Sequence, residues 1–283
     1  DHVIKVMTDE YKSLGSRYAV LGLPFIRGVV NFGESLYIGL KTLSYSSSFY
    51  EEEDYEPGKV EQFFTKIFGD KLESVLMGIT MVISVILALG IFMVLPFFLT
   101  NLMKGFLPSY SIRTLIEGII RVALFLIYIW LISKMEDIKR VFMYHGAEHK
   151  TINCLEHGED LTPENIKKYS RLHKRCGTSF LLIVMIVSIV VFMFIRVDSL
   201  VWKFVLRILL VPVVAGISYE FIRLAGRSDS KIVNTLSKPG LYLQYFTTRE
   251  PDEEMMEVAI KAVEGVFDWR EYLRAMHNGE LED

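Results

Sequence analysis

Long stretches without charged residues constrain the fold of this chain more than any other feature of its sequence. No Asp, Glu, Lys or Arg occurs from Ser74 to Met103, and Gly177–Ile195 is a second uncharged run. A helix of about 20 apolar residues crosses the hydrocarbon core of a membrane. The two runs therefore predict membrane-spanning helices, one at Met77–Leu99 with a kink or an end at Pro96 and one at Gly177–Ile195.

Ile112–Ser133 and Val201–Leu224 are two further apolar stretches that contain a few charges. Charged side chains inside a membrane face protein or a cavity rather than lipid, so both stretches are still read as spans. Buried helices of a soluble protein are the alternative, but four such stretches rarely occur together in a soluble chain of this size. The sequence predicts an all-α integral membrane protein, a four-span helical bundle with cytoplasmic helical segments, that contacts membrane lipids.

The distribution of basic residues predicts the orientation, because cytoplasmic loops are rich in Lys and Arg. The segment 134–177 is much richer in them than the connections 100–111 and 196–200. This loop is expected in the cytoplasm, and with four spans both termini are expected there too. Three regions follow: an N-terminal cytoplasmic or interfacial region (1–73), a four-span membrane domain (74–226) and C-terminal cytoplasmic helices (227–283).

Local patterns predict elements outside the spans. A helix at Pro24–Leu43 is expected at the membrane interface, with a dip into the bundle as the alternative, and residues 51–56 form an acidic linker. Thr248 is expected to cap a helix through 254–266, and a last helix is expected at Trp269–His277. A net charge of −3 gives no basic footprint for nucleic acid. Two cysteines cannot form a disulfide framework.

The segment 134–177 carries the densest set of metal-ligand residue types. The span at 112–133 is predicted to continue as one helix to a stop at Gly158. On it, His145, Glu148 and His149 stand at i, i+3 and i+4 and project from one face. Two imidazoles one turn apart can chelate a divalent metal, and the order H-x-x-E-H matches the inverted zinc-protease signature.

A second pair strengthens this hypothesis. His173 and Cys176 have ligand spacing just before the span at 177–195, which neighbours the extended helix in a hairpin. His145, His149, His173 and Cys176 would form a closed structural zinc site. Three ligands and water, with Glu148 as the base, would form an open catalytic one. Glu220 is a further candidate ligand, and the alternative is that the histidines only form hydrogen bonds at a polar surface.

Charges within the spans form a separate set. Glu117 and Arg121 stand at i and i+4, and Arg207 is expected at the same end of the bundle. Ion pairs that fix the helix register are one interpretation, and a polar pathway or cleft is the other.

Four segments carry a resemblance to a known family. They read YHGAEHKTI, LHKRCGTSFLLIVM, LLVPVVAGISYEFIRLAGRS and LYLQYFTTREPDEEMMEVAI. With them the chain resembles the YqhQ family from about Arg27 to Ala262. The resemblance implies a bacterial plasma-membrane protein with a domain of unknown function, often labelled a predicted metal-dependent enzyme. Family members usually begin with a glycine-rich stretch resembling GGQAVIEGVMMR, so further residues are expected upstream. Their usual HPRCGTSF reads HKRCGTSF here, which leaves the candidate ligands unchanged.

Two functions remain open from the sequence. The first is a zinc hydrolase at the cytoplasmic face that acts on a peptide or a lipid-linked substrate. The second is a non-enzymatic scaffold or accessory subunit of a membrane protein complex for insertion or secretion, with a structural zinc site. Transport ranks last, because four spans are few and no pair of broken helices stands out.

Overall fold

A computed structural model describes residues 3–49, 72–107, 109–197, 200–228 and 230–280. Helices and short connections make up these residues, and none of them lies in a β-strand. The acidic linker predicted at 51–56 lies outside them. The helices are α1 (Leu14–Arg17), α2 (Ile26–Ser47), α3 (Leu72–Leu89), α4 (Leu95–Leu102), α5 (Tyr110–Ile132), α6 (Glu136–Glu156), α7 (Pro163–Ile166), α8 (Gly177–Met193), α9 (Leu200–Arg227), α10 (Lys231–Thr247), α11 (Glu253–Glu264) and α12 (Trp269–His277).

Among the described residues, three helical segments are long and apolar enough to cross a membrane. They are Gly78–Leu102, which joins α3 and α4, Tyr110–Ile132 in α5, and Val201–Arg227 in α9. The fourth expected span corresponds to α8, which is apolar but has only 17 residues. The all-helical fold and the membrane-compatible helices are confirmed, and the count of four spans stays a prediction.

Pro96 does not end the first apolar helix, contrary to one of the two outcomes expected for it. A π-helical turn at Gly90–Val94 precedes it, and α4 continues to Leu102. In an α-helix the carbonyl of Phe92 would accept from the nitrogen of residue 96, and proline has no N–H to donate. Arg121 Nε of α5 donates to this carbonyl instead, at 2.9 Å. The proline thus frees an acceptor that joins the first apolar helix to α5.

The apolar helices pack mainly around α8. It contacts α5, α9 and α10, and Ile129, Leu182 and Leu243 form a buried core between α5, α8 and α10. We call the end of this bundle near the first residue of α8 the Cys176 end and the opposite end the Phe192 end. Helix α2 also packs on α9, so the helix expected at Pro24–Leu43 exists. Its place relative to the membrane stays a prediction.

Charged side chains meet inside the bundle near the Phe192 end. Arg207 pairs with Glu117 through both carboxylate oxygens, and Arg121 Nη2 lies 3.2 Å from Glu117 Oε1. Arg207 therefore joins the Glu117–Arg121 pair, as predicted. Lys203 Nζ, 3.5 Å from Glu117 Oε2, is a third cation that the sequence prediction did not include.

Helices α5 and α6 are separate, so the prediction of one continuous helix is wrong. The chain leaves the helix at Ser133–Met135: Ser133 Oγ donates to the carbonyl of Trp130 at 2.8 Å, and Met135 is extended at φ −72° and ψ 134°. The predicted stop of α6 is confirmed, because it ends at Glu156 and Gly158 follows with φ 77°. That left-handed backbone conformation favours glycine.

The second half of α6 packs with α7, α11 and α12 into what we call the polar unit. Its buried core consists of Cys154, Leu161, Ile166, Met256, Trp269 and Leu273. Helix α12 has the predicted bounds. The cap predicted for α11 is wrong: Asp252 accepts from the Met255 N–H at 2.8 Å and caps it, whereas Thr248 closes α10. Asp252 stands immediately before the helix, where a side-chain oxygen reaches the free N–H groups of the first turn.

Candidate metal centre

His145, His149 and Cys176 form a compact cluster where α6 meets Cys176, the residue immediately before α8. One ligand atom of each side chain lies within 4.8 Å of the other two. His145 Nε2 is 3.2 Å from Cys176 Sγ, and the two imidazole centroids are 4.3 Å apart. Helical spacing of four residues on α6 brings the histidines together. His149 and Cys176 are buried, and His145 is half-buried.

Backbone carbonyls orient both imidazoles. His145 Nδ1 lies 2.8 Å from the carbonyl oxygen of Thr247, and His149 Nδ1 lies 2.7 Å from that of Arg171. A carbonyl oxygen only accepts, so each Nδ1 carries the proton and donates it. In a neutral imidazole the lone pair is then on Nε2. Hydrogen bonding of one ring nitrogen to a carbonyl is the usual support of a metal-bound histidine.

The cluster favours the thiolate form of the cysteine. Burial alone would raise the pKa of Cys176, but hydrogen bonds from His145 and His149 lower it to about 5. Burial acts to lower the pKa of His145, and the neighbouring Cys176 outweighs this and raises it. Thr178 Oγ1, 3.2 Å from Cys176 Sγ, also lowers the cysteine pKa. Since the thiolate is the form that binds a metal, these residues prepare the sulfur as a ligand.

The backbone of residues 247–249 lies directly against α6. A Cβ on Gly146 would lie 1.9 Å from the Arg249 carbonyl oxygen, so only glycine fits at this position. The Arg249 N–H donates to the carbonyl of Phe142 at 2.8 Å. These contacts place the Thr247 carbonyl beside His145.

Gln244, which is fully buried, holds the connection before α8. Its amide oxygen accepts from the N–H of His173 at 2.8 Å, and its Nε2 donates to the His173 carbonyl at 2.7 Å. Arg171 Nη1 donates to the carbonyl and the hydroxyl of Thr248. Sequence reasoning missed these supporting residues. The available signal was the set of polar residues Gln244, Thr247 and Thr248, which follow the apolar residues of LYL (241–243).

The other residues predicted for the site lie apart from the cluster. Glu148 is exposed on α6. His173 Nε2 lies 3.3 Å from Glu156 Oε2, with its ring centroid 5.8 Å from that of His149. Glu220 forms an ion pair of 2.5 Å with Arg27 of α2. The structure therefore brings three of the predicted ligands together and leaves His173 and Glu220 with other partners.

The donor set fits a divalent transition metal. Imidazole nitrogen and thiolate sulfur are ligands of zinc, whereas magnesium and calcium prefer oxygen. His145, His149 and Cys176 could hold such an ion.

The described residues, with helices long and apolar enough to cross a membrane and with this cluster, have the features of a membrane-compatible helical protein with a candidate metal site. The chain belongs to the family described as "Protein of unknown function (DUF1385)", whose model matches residues 23–269. It is 38% identical over 241 residues to the "Uncharacterized protein YqhQ" of Bacillus subtilis (strain 168), covering 85% of this chain and 76% of that protein. The predicted membership of the YqhQ family is confirmed. No solved structure matches the chain.

Proposed function

We propose that this protein binds one divalent metal ion, zinc in the first place, through His145, His149 and Cys176. The observation that carries the proposal is the pair of hydrogen bonds from the two Nδ1 atoms to backbone carbonyls. With each Nδ1 bonded to a carbonyl, only Nε2 of each ring faces Cys176, and a metal ion that displaces the proton held between Nε2 and sulfur would find two nitrogen lone pairs and a thiolate. A cluster that served hydrogen bonding alone would not need both rings fixed in the same tautomer.

We further propose that the site belongs to a metal-dependent hydrolase. Three protein ligands are the usual number in catalytic zinc sites, which keep a further position for water. Zinc held there would lower the pKa of a bound water and supply a hydroxide nucleophile. Glu148, one turn from His145 on α6, is the proposed proton acceptor, and its exposure leaves the carboxylate free to reach an incoming substrate.

The position of the cluster suggests the substrate class. It lies at the start of α8, where the apolar helices meet the polar unit. We place this junction at the cytoplasmic surface of the bacterial plasma membrane, with α8 as the fourth span and both termini cytoplasmic. Seventeen residues at 1.5 Å each lie at the lower limit for a span. A peptide or a lipid-linked molecule at the membrane surface would reach the cluster.

A scaffold with a structural zinc ion is the second candidate function. The observation that favours it is that the ligands come from two elements, α6 and the residue immediately before α8. A metal ion would then tie the polar unit to the apolar helices and present it to a partner in a membrane complex. In this function the fourth ligand would come from the chain itself. Among the described residues His173 is the candidate, because its ring centroid lies 5.8 Å from that of His149.

Metal analysis of detergent-purified protein tests both functions. Wild type should contain one zinc ion per chain, and His149→Ala should lose it. His157→Ala is the matched control, because His157 Nδ1 bonds to the Asn153 carbonyl of its own helix, at 2.7 Å. A wild-type protein without stoichiometric metal would remove both functions together.

Cobalt substitution separates the two functions. A thiolate-to-cobalt charge-transfer band that is lost in Cys176→Ser would establish the sulfur ligand. If added azide changes the visible spectrum of the cobalt protein, a coordination position is open, as a hydrolase requires. An unchanged spectrum favours the scaffold. Glu148→Gln should retain the metal and, in the hydrolase, lose turnover.

A further inference from the structure

The charge cluster near the Phe192 end contains more positive than negative charge. Arg121, Lys203 and Arg207 surround the single carboxylate of Glu117. The exposed fractions of these side chains are 10%, 15% and 3%, and that of Glu117 is 2%. Two buried arginines and a half-buried lysine beside one anion leave an excess positive charge where water is largely excluded.

The surrounding groups lower the cost of this excess without neutralising it. The guanidinium groups of Arg121 and Arg207 lie 6.0 and 5.2 Å from the ring centroid of Phe192. Lys203 Nζ lies 4.7 Å from the centroid of Phe97. Cation–π contacts of this kind stabilise each cation modestly, but they bring no negative charge. Within the described residues 89–107, 109–121, 190–197 and 200–207, Glu117 is the only acid.

Arg113 adds a donor without an acceptor to the same end. It lies one turn before Glu117 on α5, and its Nε is buried without a hydrogen-bond partner. A buried unsatisfied donor on a charged group is costly, so it indicates an acceptor that binds there.

A cavity of about 420 Å³ opens at the same ends of α5 and α8. Its walls are Ser111, Val190, Met193, Phe194 and Arg196. Val190 and Met193 belong to the same last turns of α8 as Phe192, and Ser111 belongs to the same first turn of α5 as Arg113. The cavity thus combines an apolar wall with one basic residue, Arg196, at the same end of the bundle as the excess charge.

We propose that the Phe192 end of the bundle binds an anionic phosphate group. Guanidinium groups recognise phosphate oxygens through paired hydrogen bonds, and an anion would compensate the excess charge. Arg113 and Lys203 stand at the edge of the cluster and contact the phosphate, while Arg207 stays paired with Glu117. The phosphate comes from the headgroup of an anionic phospholipid or from free phosphate in solution. The apolar cavity wall favours the lipid, whose glycerol and first acyl carbons it would hold.

Lipid binding by the full chain tests the proposal. The protein is purified in a neutral detergent and mixed with micelles of phosphatidylglycerol or phosphatidylcholine, and bound lipid is counted by native mass spectrometry. Labelled inorganic phosphate, added to lipid-free protein in equilibrium dialysis, forms the second arm. The variants are Arg113→Gln and Arg113→Gln with Lys203→Gln. The matched control is Lys104→Gln, an exposed lysine in the turn that follows α4.

Wild type is expected to retain phosphatidylglycerol in preference to phosphatidylcholine. Substitution of each edge residue, Arg113 or Lys203, should weaken lipid binding about tenfold, the value of one charge-assisted hydrogen bond. Lys104→Gln should leave the affinity within about twofold of wild type. Binding of phosphate without lipid preference would keep the site and assign it to the soluble anion.

Two results would overturn the proposal. One is a wild type that binds neither probe, and the other is an equal effect of Lys104→Gln and the edge variants. Should the double variant lose its helical circular dichroism, Arg113→Gln alone decides, because Arg113 Nε has no partner whose loss would unfold the chain. Metal content is measured in the same samples, so this test stands apart from that of the proposed metal site.

Discussion

In the metal-free protein, Cys176 should remain ionised to a much lower pH than an ordinary cysteine. Its imidazole partners lower its pKa from 9.0 to about 5. At pH 7 an ordinary thiol with pKa 9.0 is about 1% ionised, whereas a thiol with pKa about 5 is about 99% ionised. The expected change in the ionised fraction at neutral pH is therefore about a hundredfold.

The assay is the ultraviolet absorbance of the thiolate against pH, in protein stripped of metal with a chelator. Cys154 supplies an internal contrast, because burial raises its pKa to about 11. Cys154→Ser should leave the low-pH transition unchanged, and Cys176→Ser should abolish it. His145→Gln should move the transition upward, since it removes the principal group that offsets the burial of Cys176.

The same ionisations set the pH dependence of the stability of the metal-free fold. The folded pKa of Cys176 lies below 9.0, so its contribution is complete above that pH and is lost as the pH falls towards about 5. The raised pKa of His145 acts in the opposite direction, and its contribution is lost as the pH rises through the folded value. A Cys176 transition near pH 9 that is insensitive to His145→Gln would refute the imidazole–thiolate interaction.

Other substitutions test the packing around the two clusters. Gly146→Ala should lower metal affinity and melting temperature, because its Cβ would meet the Arg249 carbonyl oxygen; Gly39→Ala, with open space around it, should leave both unchanged or slightly raise the melting temperature. Glu117→Gln should lower the unfolding free energy by about 3–5 kcal/mol in detergent denaturation, since it leaves buried cations uncompensated; a loss below about 1 kcal/mol would contradict that. Gln244→Leu should release the backbone of His173 and accelerate the hydrogen exchange of its amide. An exchange rate equal to that of wild type would show that the two hydrogen bonds of Gln244 are dispensable.

Local patterns predicted much of the helical framework. The apolar runs, the glycine stop after α6 and the last helix depend on neighbours within a few residues, and each occurs where the sequence indicated. The wrong predictions concern places where two local conformations differ little in free energy. Neither the short break at Ser133–Met135 nor the cap at Asp252 instead of Thr248 is marked by a strong pattern in the sequence.

The candidate site was predictable in its ligand types and not in its assembly. Spacing paired His145 with His149, and chain order brought Cys176 near them. The Thr247 carbonyl that orients His145 is 102 residues away, and Gln244 holds a backbone 71 residues away. Such partners follow from tertiary packing, which no local pattern encodes.

The core of the polar unit is built from two pieces of chain separated by α8, α9 and α10. Cys154, Leu161 and Ile166 come before them, and Met256, Trp269 and Leu273 come after. During synthesis the first three residues leave the ribosome with no partner to cover them. This core can close only after α8, α9 and α10 have also left the ribosome. Chain order therefore makes the polar unit, together with the 247–249 segment that supports His145, the last part of the described structure to be completed.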